Sequence, residues 1–234
     1  PFGSGLGLSI SKKIIELHVG QIWVEDERIS VLSFTGSPDV GWKMKSEAGK
    51  KKVVLELGGN AAAIVHKDAD FNLAINKLLV GGFAYSGQVC IHTQRIFVHE
   101  SLYNRFESEF VKLATSLKTG NPLEESTQFS VMIDEKNAKR VETWLEEAVN
   151  QGAKILTGGK RNDMFIEPTI VKNVKRGMKI YDEEVFGPVV CIQSYSNSIV
   201  HGGHGRIVIN RIVIELRKVR ILGVNISRSN AHYE

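Results

Sequence analysis

Cys90 is the residue with the clearest capacity for chemistry in this sequence. It follows an apolar run at helical spacing and precedes RIFVHE, residues 95–100, which is typical of a strand. A thiol acts as a nucleophile in its thiolate form, and backbone N–H groups at a helix-to-strand junction can hold an oxyanion that forms on an attacked carbonyl. A buried small hydrophobe is the alternative, and it is the commoner role of a single cysteine. The local pattern leaves both roles open.

Two other segments place reactive or small residues where predicted strands end. Glu56 follows the apolar run VVL and precedes a Gly-Gly turn, so it is either a solvated strand end or a general base that activates water. Gly36 and Ser37 lie in the turn FTGSPD, before a predicted helix. A backbone there can approach a phosphate or a nicotinamide ring, while a capped helix start with Pro38 in the first turn is the alternative.

A third segment, YDEEVFGPV at residues 181–189, combines acids, an aromatic residue and a Gly-Pro pair. By itself it predicts only a polar turn before a strand. Cys191 lies inside the apolar run VVCIQSY, so we expect this second cysteine to be part of the core.

Four motifs occur together: FTGS at 34–37, LELGGN at 55–60, GQVC at 87–90 and EEVFGPV at 183–189. In this order and at this spacing they resemble the aldehyde dehydrogenase superfamily, and the agreement extends over residues 24–197. The resemblance implies an oxidoreductase that converts an aldehyde to a carboxylic acid, with NAD or NADP as the hydride acceptor.

The resemblance also implies roles for individual residues. Cys90 would attack the aldehyde to form a thiohemiacetal, which becomes a thioester after hydride transfer. Glu56 would activate the water that hydrolyses the thioester. Glu184 would hydrogen-bond the nicotinamide ribose and Phe186 would pack beside the nicotinamide. The full set of residues expected along the cofactor is Gly36, Ser37, Leu57, Gly58, Glu184 and Phe186.

The two ends of the chain depart from this pattern. Residues 1–23 resemble the last Gly-rich box of sensor histidine kinase ATP-binding domains, which implies a phosphate-binding loop; an ordinary helix and strand are the alternative. Residues 198–234 form a basic tail that resembles no family, with two strands expected. His201 and His204 are either a solvated loop or part of a metal site that lacks further ligands.

We therefore expect an α/β fold with a mostly parallel sheet flanked by helices. Residues 24–55 would be a remnant of the cofactor domain and residues 56–197 the catalytic domain. The family's amino-terminal half, which carries most of the nucleotide-binding fold, is not recognised in the sequence, and the chain begins without Met. We expect a partial chain or a chimera with impaired activity, and a non-enzymatic folded fragment is the alternative.

Composition narrows the choice of partners. The net charge of +4 arises from residue 198 onward, where six basic residues outnumber two acidic ones, so a nucleic-acid-binding body is not indicated. Two widely spaced cysteines favour a reducing compartment, and no apolar run approaches the roughly 20 residues that span a bilayer. We expect a cytoplasmic protein with a small-molecule aldehyde substrate and no membrane partner. Exposed sheet edges leave a homo-oligomer open.

Overall fold

The computed structural model describes residues 29–196 in full, and describes four strands within residues 199–221 by their backbone alone. Several expectations lie outside the described residues. They are the Gly-rich loop and helix of residues 1–23, His204 and the side chain of His201. The described residues divide into two compact units, one ending at Gly58 and the other beginning at Gly59.

The described residues of the first unit form one strand–helix–strand arrangement. Strand β1 (Val31–Thr35) is followed by helix α1 (Pro38–Glu47) and strand β2 (Lys52–Glu56), and the two strands pair in parallel. Parallel strands require such a crossover connection. Pro38 lies in the first turn of α1, as predicted, because its fixed φ angle and missing N–H group suit that position.

The second unit is larger and is built around one sheet. In chain order it contains β3 (Ala62–Val65), α2 (Phe71–Phe83), β4 (Arg95–His99), α3 (Glu100–Thr115), α4 (Glu135–Asn150), β5 (Lys154–Thr157), β6 (Arg161–Asn162), β7 (Phe165–Ile166), β8 (Thr169–Lys172), α5 (Lys179–Asp182), β9 (Val189–Tyr195), β10 (Ile199–Gly202), β11 (Arg206–Ile209), β12 (Ile212–Glu215) and β13 (Val219–Ile221).

Six of these strands form the central sheet, in the order β13–β3–β4–β9–β8–β5. Every neighbouring pair is parallel except β5–β8, which closes one edge in antiparallel fashion. The prediction of an α/β fold with a mostly parallel sheet is confirmed. The tail contributes four short strands rather than the two expected: β10, β11 and β12 form a separate antiparallel sheet, while β13 joins the central one.

Helices cover both faces of the central sheet, and the side chains of β9 show the division. Val190 and Ile192 belong to one core cluster, which includes Phe106 and Phe110 of α3. Val189 and Cys191 belong to another, which contains the apolar face of α4. Successive residues of a strand point to opposite faces, so an uninterrupted apolar run is what a doubly covered strand requires. Cys191 is 1% exposed, which confirms its predicted place in the core.

Two local predictions are wrong. Helix α3 begins one residue earlier than expected, and its N-cap is His99 rather than Ser101, because the His99 ring accepts a hydrogen bond from the Ser101 N–H group. The segment FIEPTIV, expected as one strand, is divided into β7 and β8 around Pro168, since proline has no N–H to donate to a ladder.

Within the residues that the structure describes, no helix is both long and apolar enough to cross a membrane.

Candidate active site

Cys90 lies in a turn between α2 and β4, at the helix-to-strand junction expected from the sequence. Helix α2 ends at Phe83, and residues 84–87 form one turn of 3-10 helix. The turn at Cys90 is closed by a hydrogen bond of 2.9 Å from the His92 N–H to the Val89 carbonyl. Cys90 is exposed, so it does not act as core filler.

The segment that leads into Cys90 is held in a strained conformation. Tyr85 and Ser86 both have left-handed backbone angles, with φ of 51° and 56°. Such angles cost on the order of 1 kcal/mol or more per non-glycine residue, and they persist only where the surroundings enforce them. Here the Ser86 hydroxyl donates to the Ser130 carbonyl at 2.7 Å, and Gln88 Oε1 accepts from the Ile133 N–H at 2.8 Å. Ser86 and Gln88, in and just after the strained pair, are therefore both attached to residues 130–133.

His92 anchors the other side of the Cys90 turn. Its ring is 4% exposed, and Nε2 lies 2.9 Å from the Gly82 carbonyl oxygen near the end of α2. A carbonyl oxygen can only accept, so Nε2 carries the proton. Burial lowers the pKa of His92 to about 4, although the bond to Gly82 acts in the opposite direction. The imidazole is therefore neutral at pH 7, and its buried Nδ1 has no hydrogen-bond partner.

Glu184 and Phe186 lie in what we call the acid loop, residues 183–187, just before β9. Glu184 Oε1 accepts a hydrogen bond of 2.9 Å from the Gly59 N–H. Burial raises the pKa of the Glu184 carboxyl, while the Gly59 N–H and the charge of Arg140 lower it. Phe186 has a left-handed φ of 45° and its ring is 39% exposed. An exposed aromatic ring on strained backbone is typical of a binding site rather than of a core.

The second unit brings three of the four motifs into contact. A Cβ atom added to Gly87, whose φ is 69°, would lie 2.2 Å from the Gly187 carbonyl oxygen. A Cβ atom on Gly59 would lie 3.2 Å from the Cys90 carbonyl oxygen. The approach at Gly87 leaves no room for a side chain, and the approach at Gly59 is tight. The end of LELGGN, the GQVC segment and the acid loop therefore meet around Cys90.

The remaining predicted site residues belong to the first unit. Gly36 donates its N–H to the Glu56 carbonyl at 3.0 Å, so the FTGS turn lies beside the end of β2. Ser37 is the N-cap of α1, but its hydroxyl makes no capping bond. The Leu57 side chain lies against Gly41 of α1, where an added Cβ atom would come within 2.5 Å of it. Leu57 and Gly58 are half-buried and Glu56 is exposed, which agrees with a solvated strand end.

Three polar residues that sequence reasoning missed hold the acid loop in place. Asn60 Nδ2 donates to the carbonyls of Tyr181 and Glu183, at 2.8 and 3.2 Å. Arg140 Nη2 donates to the Val185 carbonyl at 2.7 Å, and Gln94 bonds to the same loop from the start of β4. Asn60 ends the LELGGN motif and could have been suspected for that reason. Gln94 and Arg140 carry no local signal, since their partners lie 45 or more residues away.

Within the described part of the chain, no three His, Cys, Asp or Glu side chains are grouped as metal ligands. The described site therefore consists of a thiol, carboxylates, backbone N–H groups and an aromatic ring. An exposed thiol in a turn suits attack on a carbonyl, and a half-buried carboxylate next to an exposed ring suits a ligand with hydroxyl groups and a planar ring.

Comparison with known proteins gives a family match and similar sequences. The model of the aldehyde dehydrogenase family matches residues 15–199. The 3-sulfolactaldehyde dehydrogenase of Priestia aryabhattai is 46% identical over 178 residues, which cover 76% of this chain and 37% of that protein. The chain thus spans little more than a third of the length of this relative.

Solved structures give the same result. The chain superposes on aldehyde dehydrogenase 21 of Physcomitrella patens, in complex with the reaction product succinate, with a TM-score of 0.72 and 47% identity. That match covers 76% of this chain and 39% of the other. The glyceraldehyde-3-phosphate dehydrogenase GapN of Methanocaldococcus jannaschii, complexed with NADP, gives a TM-score of 0.71 at 43% identity, over 75% of this chain and 38% of that one.

Proposed function

Because this chain belongs to the aldehyde dehydrogenase family, we propose that it carries the nucleophile and the nicotinamide-side contacts of an NAD(P)+-dependent aldehyde oxidation. The substrate is a small-molecule aldehyde and the product a carboxylic acid. The observation that carries the proposal is the exposed Cys90 thiol, held in a constrained turn whose carbonyl lies against Gly59, which in turn is bonded to Glu184.

Cys90 acts first. Its thiolate forms a C–S bond to the aldehyde carbon, and the electron pair of the carbonyl moves to oxygen, where the Cys90 N–H group is one donor. A bound NAD(P)+ would supply the acceptor for the hydride of the thiohemiacetal carbon. A thioester on Cys90 remains.

Glu56 completes the cycle. Its carboxylate takes a proton from water as the water oxygen attacks the thioester carbon, and the C–S bond breaks to release the carboxylic acid and the Cys90 thiolate. The exposed position of Glu56 at the end of β2 gives it direct access to water. The balanced reaction consumes one aldehyde, one water and one NAD(P)+, and yields one acid, one NAD(P)H and one proton.

Each of the two units has residues that suit the binding of NAD(P)+. Glu184 is a half-buried acceptor for ribose hydroxyl groups, and Phe186 presents a ring that suits the nicotinamide. Gly36 and Ser37 open a helix whose N-terminal N–H groups suit an anionic cofactor, with Leu57 and Gly58 following β2.

We also propose how the chain is divided into segments. We assign residues 24–55 to a cofactor-domain remnant, residues 56–197 to the catalytic domain, and residues 1–23 to a segment of histidine kinase type. A cytoplasmic location and association of identical chains belong to the same proposal. Phosphate binding at the Gly-rich loop predicts ATP affinity that is lost when Gly3, Gly5 and Gly7 are replaced.

The test compares the alkylation rates of the two thiols from pH 6 to 9, with and without NAD+, by peptide mass analysis. Burial raises the pKa of Cys191 from an ordinary 9.0 to about 12, so its thiolate population is about a thousandfold lower than that of an ordinary thiol. We expect rapid alkylation of Cys90 only, a rate that NAD+ changes, and aldehyde-dependent formation of NADH that Cys90→Ala abolishes.

Equal reactivity of the two thiols in the folded chain would contradict the proposal. A reactive Cys90 that ignores both NAD+ and NADP+ would support the alternative, a folded module of this family without a competent cofactor site. Full activity in Glu56→Gln would remove Glu56 from its role as base while leaving Cys90 in place.

A further inference from the structure

Gln94 is a buried glutamine whose side-chain amide bonds to the backbone on both sides of Glu184. The residue is 0% exposed and immediately precedes β4. Its Nε2 donates to the carbonyls of Ile180 and Glu183, at 2.9 and 2.7 Å. Its Oε1 accepts from the Val185 N–H at 2.8 Å.

A carboxamide is the side chain that such a loop requires. The acid loop turns away from the regular ladder, so its buried carbonyl and N–H groups need partners outside secondary structure. An amide supplies two donor hydrogens and an acceptor in one planar group, whereas an ionised carboxylate only accepts and a thioether does neither well. All three hydrogen-bonding positions of the Gln94 amide are used, two by the acid loop at Glu183 and Val185 and one by Ile180 of α5.

Gln94 is itself held rigidly. Its carbonyl accepts from the Cys191 N–H at 2.8 Å, which attaches it to β9, and its N–H donates to the His92 carbonyl at 3.0 Å. His92 in turn closes the Cys90 turn through Val89. The amide therefore connects the turn that carries Cys90 with the loop that carries Glu184.

We propose that Gln94 is a positioning residue that sets the conformation of the acid loop and, through it, the direction of the Glu184 carboxylate and the Phe186 ring. Asn60 bonds to the Glu183 carbonyl and Arg140 to the Val185 carbonyl. Among the described side chains, only Gln94 bonds to both of these residues, which flank Glu184. The consequence for cofactor affinity rests on the proposed function, in which Glu184 holds the nicotinamide ribose. The geometric role does not rest on it.

The experiment measures amide hydrogen exchange by NMR in the full chain and in three variants. Gln94→Met removes the two bonds to the acid loop and the bond to Ile180 at nearly constant volume. Gln193→Met is the matched control, because this glutamine of β9 donates to the Val174 carbonyl at 2.7 Å, away from the loop. Glu184→Ala removes the carboxylate itself. The reporters are the Val185 N–H, bonded to Gln94, and the Gly59 N–H, bonded to Glu184.

We expect Gln94→Met to accelerate exchange at both reporters by about tenfold or more, since a buried group left without its partner opens readily. Gln193→Met should change neither beyond its general effect on stability. Glu184→Ala should accelerate exchange at Gly59 and not at Val185. Unchanged exchange at Gly59 in Gln94→Met would overturn the proposal, because Glu184 would then keep its position without Gln94.

Cofactor affinity provides the second readout. If the unmodified chain binds NAD+ or NADP+, Gln94→Met should weaken binding about tenfold, and the loss in Gln94→Met combined with Glu184→Ala should be smaller than the sum of the two single losses. Additive losses in the double variant would refute an action through Glu184. If the unmodified chain binds neither cofactor, the proposed function fails for this chain, and the exchange rates at Gly59 and Val185 still decide the role of Gln94.

Discussion

The neutral, buried His92 makes the stability of the second unit depend on pH in a defined window. In the folded chain its pKa is lowered to about 4 by burial, while in the unfolded chain it returns to 6.5. Between these values the unfolded state binds a proton that the folded state does not bind. The stabilising contribution is therefore fully present above about pH 6.5 and is lost as the pH falls toward 4.

The magnitude follows from the two pKa values. A difference of this size corresponds to about 3 kcal/mol when the full window is crossed, at about 1.4 kcal/mol for each pH unit. Between pH 7 and pH 5 the expected loss from His92 is about 2 kcal/mol. This is a large fraction of the few kcal/mol by which most domains are stable.

The variant that isolates this contribution is His92→Gln. The glutamine amide can still donate to the Gly82 carbonyl but does not titrate. Urea unfolding at pH 7, 6 and 5 gives the free energy of unfolding for both chains. His92→Gln should lose about 2 kcal/mol less than the unmodified chain over this range, because all other titrating groups are shared. His66→Gln, at a half-buried histidine bonded to the Tyr195 hydroxyl, is the matched control.

The reasoning would be refuted if the two chains lost the same stability between pH 7 and pH 5. It would also be refuted if His66→Gln removed the pH dependence as effectively as His92→Gln.

Three further predictions concern stability. Gly87→Ala should lower the free energy of unfolding by about 2 kcal/mol or more beyond the loss in Gly152→Ala. Both glycines have positive φ, but of the two only Gly87 has backbone where a Cβ atom would lie; urea unfolding measures the difference. Lys172→Met should lower the free energy of unfolding by about 1 kcal/mol, and adding Glu107→Gln should recover part of this loss, because the two side chains form a largely buried ion pair of 2.7 Å. A double-mutant cycle measures the coupling. Burial raises the pKa of Cys191, so its thiol ionises first in the unfolded chain. Between pH 8.5 and 10 the free energy of unfolding should therefore fall by about 1 kcal/mol more in the unmodified chain than in Cys191→Ala.

Each of these has a clear contrary result. Equal destabilisation by the two alanine substitutions would mean that the acid loop moves away from residue 87 without penalty. Strictly additive losses at Lys172 and Glu107 would show that the pair contributes nothing by its proximity. An identical alkaline stability profile in Cys191→Ala would place the ionisation of this thiol outside the unfolding equilibrium.

Much of the fold could be predicted from the sequence because its signals are local. The apolar run of β9 indicated a strand buried on both faces, and alternate residues of that strand do pack in different core clusters. Phe106 and Phe110 marked the buried face of α3, and both are fully buried. Periodicity of this kind depends on neighbours a few residues away, so it survives without knowledge of the rest of the chain.

Element boundaries were less predictable because they depend on competition between near neighbours. Ser101 is a good N-cap by residue type, yet His99 takes that position since its ring already faces the Ser101 N–H group. The division at Pro168 was available in the sequence, because proline interrupts a ladder, but the apolar residues on either side suggested continuity.

The sequence alone predicted Cys90 as the nucleophile, through four motifs in a fixed order. The tertiary structure determined the hydrogen bonds around Cys90. They are the bond from Gly59 to Glu184, the bond from His92 to Gly82, and the bonds of Gln94 to the acid loop. These bonds join residues up to 125 positions apart, such as Gly59 and Glu184. A motif records which residues are present, whereas a buried hydrogen bond exists only after folding has brought donor and acceptor together and removed the water between them.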